Sequence, residues 1–261
     1  MRNSESNFIR NMRKRHSFTI GEFNLRAMGG VILESPKHTI ALRDVEFVSS
    51  YGNRDDIIDH GRYLNVTFDL TVGFRRDLVV RYNILESKEL LSTLTDNYHI
   101  YRDTYNEGWH TEAVLTAIEP ISQTSKMMWE TKLTFNRVPF WYQDNQREIP
   151  LPKGEDVTIM NPSNIPSKPT LIFRRGENTN QDHSVTVNGT RLEFANTADC
   201  YEARFEGEEM RHILINEDRT ITHIDAVLPP DLYPRGTSNT IRADGTGDGA
   251  SYYIIPNWRR L

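Results

Sequence analysis

The sequence predicts a mainly β chain in two parts: a first half of β-sheet with one inserted α-helix, and a second half built from strands alone. Three observations carry this. Apolar residues recur at every second position over 63–73 and again over 126–135, which is the period of a strand with one buried face. One run, 84–94, instead places Ile84, Leu85, Leu90, Leu91 and Leu94 at helical spacing. Beyond residue 156 only short apolar runs remain, separated by frequent turns, the pattern of a sandwich or jelly roll.

Taken in order, the first strands fall at 17–20 and 23–25, separated by Gly21, then at 31–33 and 39–42 around a proline turn. Residues 44–50 alternate Val45 and Phe47 with Asp44 and Glu46 and read as a half-buried strand, and 52–56 reads as a turn. The helix over 84–94 closes at Asp96-Asn97, and strands resume at 98–103, 111–119 and 126–135. A polar stretch over 143–155 with Pro150, Pro152 and Gly154 marks a linker. After it, strands are expected at 156–159, 170–174, 184–187, 191–194, 203–205, 211–215, 221–226, 240–242 and 251–255. Asn188-Gly189 between two of them signals a tight hairpin, because that pair accepts the positive φ angles of a type I′ turn.

Composition narrows the function. The chain has 261 residues, 37% hydrophobic and 26% charged, and a net charge of −5. A binder of nucleic acid shows a basic stripe or a high pI, and the pI here is about 5.9. The single cysteine, Cys200, allows no internal disulfide and fits assembly in a reducing compartment. No stretch approaches the roughly 18–20 apolar residues needed to cross a bilayer, so no membrane insertion is expected. The first 16 residues form an arm in which Phe8, Ile9 and Met12 lie at helical spacing among Arg10, Arg13, Lys14 and Arg15, a pattern suited to docking on a neighbouring subunit.

Sites of chemistry are few. No GxSxG, HExxH, GxxxxGK[ST] or CxxC pattern occurs. His212, His223 and Asp225 lie close in sequence, with His223 and Asp225 on one strand face, and are the only candidate for a metal or acid–base site. The run 244–249 resembles a calcium loop but has Ile255 where a bidentate acid is required, so a Gly/Asp turn is expected. Glu206, Glu208 and Glu209 read as a solvated charged face, and Trp129 and Trp141 as core or interface. No catalytic residue, metal site or cofactor is assigned.

Three segments resemble the siphophage distal tail protein (Dit) family. One is Arg43-Asp44-Val45 followed by the stretch 51–65, with Asp59-His60-Gly61-Arg62-Tyr63-Leu64-Asn65 matching a D-x-G-R-Y-x-N pattern; Asp55 stands where a glycine is common. The second is 133–142, an L-x-F-x-x-x-P-x-x-Y pattern. The third is spread over Asn161-Pro162, 168–172, 187–189, Ile224-Asp225, 236–241 and 255–261.

The resemblance implies an arm (1–16), an N-terminal ring-forming β-sandwich with a helix (17–145), a linker and first strand (146–160) and a galectin-like C-terminal sandwich (161–261). It implies a structural, non-enzymatic virion protein at the distal end of the tail, assembled in the host cytoplasm. Six copies would form a ring around a DNA channel, joining the major tail tube protein to the tail-associated hub or fibre protein. The tape measure and receptor-binding proteins would be further partners. Motif position places the subunit interface around Tyr51, Arg54, Asp55, Arg62 and Tyr63. A carbohydrate-binding module for host adhesion is the alternative, since galectin-like sandwiches can bind sugars and fold alone does not decide function.

Overall fold

The computed structural model describes residues 16–37, 39–49, 55–75, 91–125, 128–176, 183–194, 200–225, 227–245 and 249–261. The chain divides into two compact units, Met1–Trp141 with Leu261, and Tyr142–Arg260. Both are β-structures.

The first unit contains β1 (Phe18–Ile20), β2 (Phe23–Asn24), β3 (Gly30–Ile32), β4 (Arg43–Val48), β5 (Asp56–Tyr63), β6 (Val66–Arg75), β7 (His99–Asp103), β8 (Trp109–Ile118), β9 (Ser122–Ser125) and β10 (Met128–Arg137). Its main sheet runs β2-β1-β7-β8-β10-β6-β3, with β9 on β10. The sheet curls until its ends meet: the Ile32 amide donates to the His16 carbonyl at 3.0 Å, and the Gly30 amide to Leu25 at 2.9 Å. Closure of this kind leaves few backbone groups on a bare edge.

Alternation explains the core. Phe68, Leu70, Val72 and Phe74 on β6 point inward, and Leu133 and Phe135 on β10 pair with Leu70 and Phe68. Tyr101 is fully buried among Phe18, Phe68, Phe135 and Trp141, with ring centroids 5.4 to 6.0 Å away. The outward residues of the same two strands are polar: Asp69 accepts from Lys132 at 2.8 Å and from the Thr134 hydroxyl at 2.8 Å. Arg137 is buried and donates to the carbonyls of Val138, Pro139 and Thr39 while its guanidinium lies over Trp141. Burial pulls its pKa down to about 10, so it stays charged at neutral pH.

The helix expected over 84–94 is not seen. Residues 84–90 lie outside the described residues, and only Leu91 and Ser92 are helical before the chain turns. Leu91 and Leu94 are nonetheless buried in the core, as their spacing required. The strand expected at 39–42 is irregular, and 44–50 is not half-buried: β4 is largely exposed.

β11 (Trp141–Gln143) spans the junction. The second unit then has β12 (Ile149–Pro150), β13 (Asp156–Met160), β14 (Thr170–Arg174), β15 (His183–Val187), β16 (Thr190–Phe194), β17 (Cys200–Glu206), β18 (Arg211–Asn216), β19 (Ile221–Ile224), β20 (Ser238–Gly245), β21 (Ser251–Ile255) and β22 (Arg259–Arg260). One sheet runs β12-β21-β14-β17-β18-β19, and another β13-β20-β15-β16. Leu171, Phe173, Phe205 and Ile254 of the first share one buried cluster with Val185, Leu192, Phe194 and Ile241 of the second. The β15–β16 hairpin turns at Asn188 (φ 49°) and Gly189 (φ 85°), the two positive angles that a type I′ turn needs.

Candidate subunit-interface ribbon

The feature of the first unit that its own core does not explain is the pair β4–β5. It pairs antiparallel through Val45↔Asp59, Glu46↔Ile58, Phe47↔Ile57 and Val48↔Asp56, and these strands join no other described strand. Cross-strand partners share a face. One face therefore carries Val45, Phe47, Ile57 and Asp59, and the other Glu46, Val48, Asp56 and Ile58. Phe47 is 65% exposed, Ile57 58%, Ile58 47% and Val48 39%. Ile40, Leu42 and Leu64 at the base are exposed as well.

The base is held firmly. The Leu64 amide donates to Leu42 at 2.8 Å, Arg137 reaches the Thr39 carbonyl, and the Tyr63 ring meets Phe140 edge-on at 5.4 Å. Arg43 donates twice to Asp59, 2.5 Å from Nη2, and its guanidinium lies 5.0 Å over the Tyr63 ring. The bond from Arg43 is the main cause that holds the Asp59 carboxyl below its ordinary range, and the Gly61 amide, 2.8 Å from Oδ1, adds to it. Gly61 has φ +74° in the stretch where the ladder slips register, the backbone of a glycine bulge. The D-x-G-R-Y-x-N motif thus has a local physical meaning. Asp59 and Gly61 shape the bulge, Tyr63 packs the base, and Asn65 bonds Tyr98 and Asn136 at 2.7 and 3.1 Å.

Of the five residues expected at the interface, Tyr51 and Arg54 lie outside the described residues. Asp55 is exposed where the ribbon begins its return. Arg62 donates to Asp44, 2.6 Å from Nε, with 75% of its side chain exposed, and Tyr63 is half-buried. Sequence reading put Phe47 on the buried face of a half-buried strand, assigned no interface role to Phe47, Val48, Ile57 or Ile58, and missed β5. The signal available was Val45-Glu46-Phe47-Val48 and Asp56-Ile57-Ile58-Asp59, where apolar residues fall on both faces of one strand pair.

The other candidates come apart. His212 points into the second core and pairs across β18–β19 with Ile224, whereas His223 pairs with Ile213 on the opposite face. Asp225 lies beyond the end of β19. Among the described residues no cluster suited to a metal forms. Residues 246–248 lie outside the described residues, and Asp244 and Gly245 belong to β20. Glu206 and Glu208 are not a solvated face. Glu206 is buried beside Arg211 at 2.5 Å, and Glu208 accepts from Arg259 at 3.0 and 3.1 Å. Burial raises the Glu208 pKa, against the pull of Arg259. Glu206 continues a lattice in which Glu202 takes both Arg174 and Arg204, and Arg174 also grips Glu148 through two nitrogens at 2.6 and 2.7 Å. Trp141 is core, and Trp129 is partly buried.

No protein-family model matches the chain, and no curated protein matches it in sequence. Solved structures do. The SPP1 Dit (gp 19.1) protein, described as a paradigm of the hub adsorption apparatus in phages infecting Gram-positive bacteria, aligns with TM-score 0.65 at 9% identity, over 92% of this chain and 97% of that one. A chain of the phage P2 baseplate in its activated conformation with Ca aligns with TM-score 0.50 at 10% identity, over 94% and 98%. At such identities the likeness is one of fold, and over nine-tenths of its length this chain has the fold of the SPP1 Dit protein, whose family its sequence motifs resemble.

Proposed function

We propose that the protein is a structural component of a phage tail tip, a distal tail protein whose first units associate as a hexameric ring around a DNA channel. The observation that carries this is the β4–β5 ribbon. A two-stranded ribbon is marginal in water unless something covers it, and this one exposes apolar side chains on both faces. Covering each of Phe47, Val48, Ile57 and Ile58 contributes roughly 1–2 kcal/mol, given that full burial of such a side chain is worth about 1.5–3 kcal/mol. A ribbon on one copy that meets a different surface on the next is a heterologous contact, and it yields a ring when the rotation closes. The fold likeness to the SPP1 Dit and P2 baseplate chains supports the same reading. Under it, the protein lies at the distal end of the tail, between the tail tube and the hub, with the tape measure and receptor-binding proteins as further partners. The second unit, galectin-like in this reading, serves as a docking point.

The test is the solution mass across concentration, with electron microscopy of the same sample. The expected result is a closed ring of about six subunits that the double substitution Phe47→Asp and Ile57→Asp converts to monomer. A chain that stays monomeric both alone and with tail-tube and hub proteins rejects the ring. Specific binding in a glycan array by such a monomer would favour the adhesion module instead.

A further inference from the structure

We propose that the basic N-terminal arm, residues 1–15, docks on the acidic face of the β4–β5 ribbon of a neighbouring copy. The proposal rests on the ring reading and names a contact within it.

The two faces of the ribbon differ in charge. On the face with Phe47, Asp59 is neutralised by Arg43. The opposite face sets Val48 and Ile58 between Glu46 and Asp56. Arg62 neutralises Asp44, and among the described residues only His60, 3.9 Å away, approaches Glu46. Among the described residues Asp56 has no cation. This face is therefore a short apolar strip edged by carboxylates.

The arm is its chemical complement. It carries Arg2, Arg10, Arg13, Lys14 and Arg15 against the single acid Glu5, and its large apolar residues are Phe8, Ile9 and Met12. Phe8 and Ile9 suit Val48 and Ile58, and the following basic run suits Glu46 and Asp56. Opposite charges flanking an apolar contact set register and partner more than affinity. The arm starts from a fixed point. His16 stacks on Tyr105 at 4.3 Å, bonds Thr104 at 3.2 Å and accepts from Ile32. Fifteen residues can extend up to about 50 Å from there, enough to reach across a subunit boundary. Burial of the Phe47 face against the body of the next copy would leave the Val48 face free for the arm.

The experiment places p-benzoylphenylalanine at position 8 of the full chain. Unlabelled and 15N-labelled proteins are mixed before assembly, irradiated, and mapped by mass spectrometry. Cross-links between unlike isotopes that fall within residues 46–58 are expected. Glu46→Lys with Asp56→Lys should lower their yield about fivefold, the scale of an exposed charge contact. Adding Arg13→Glu, Lys14→Glu and Arg15→Glu to the same chain should restore it. Cross-links that map elsewhere, or only between like isotopes, overturn the arm contact, as does a yield insensitive to the charge reversals. Light scattering on the same samples reads the ring separately. A closed oligomer whose arms cross-link elsewhere removes the arm contact and leaves the ring standing.

Discussion

His212 sits in the core of the second unit, its ring stacked on Phe205 with centroids 4.1 Å apart, and neither ring nitrogen has a hydrogen-bond partner. It is 1% exposed. Burial without a partner penalises the imidazolium and lowers the pKa from 6.5 to about 4. A folded-state value below the unfolded one means that, as the pH falls, the unfolded chain takes the proton first. Stability therefore declines between pH 6.5 and about 4, by up to about 3 kcal/mol from this residue. Thermal melts of the wild type should show that loss, and His212→Phe should flatten the curve over the same window. Equal pH dependence in the two proteins would refute the assignment. The inward facing of His212 was not legible in the sequence, because the run Ile213-Leu214-Ile215 beside it is apolar on both faces. The partners of Glu206 and Glu208 were equally hidden. Arg259 lies 51 residues from Glu208, and no local pattern reports such a pairing.

Elements whose one face is buried declared themselves. β6 and β10 alternate because the core fills one side of each, and the Asn188-Gly189 turn was readable from two residues. β5 did not declare itself, because no core of its own chain imposes a period on Asp56–Tyr63. What could be read there was the glycine, and Gly61 supplies a prediction for the element. At φ +74° a side chain costs about 1–2 kcal/mol, although the space around the position is open. Gly61→Ala should leave the melting of both cores close to wild type and weaken assembly several-fold in a dilution series. An unchanged oligomer would mean that the bulge does not set the ribbon for contact. Arg62, expected from motif position to face a partner, donates to Asp44 within the ribbon and keeps 75% of its side chain exposed. Its reversal acts on the ribbon's own stability first.

The whole chain carries a net charge of −5, and a conduit for DNA gains nothing from holding the polyanion by basic contacts. In the proposed ring the lumen should accordingly be neutral or acidic, which a reconstruction of the ring with its surface potential checks; a strongly basic wall would contradict the proposed conduit. The first unit hides its sheet by curling it shut, and the second hides its core between two sheets. The ribbon keeps Phe47, Val48, Ile57 and Ile58 in view. On the proposed ring reading the free form should be short-lived, since a surface that joins copies in the correct order also clings to any other apolar surface it meets. Yield should then depend on timing: copies made slowly beside a growing tail would find their neighbours, while copies made in a burst without one would go to waste as precipitate.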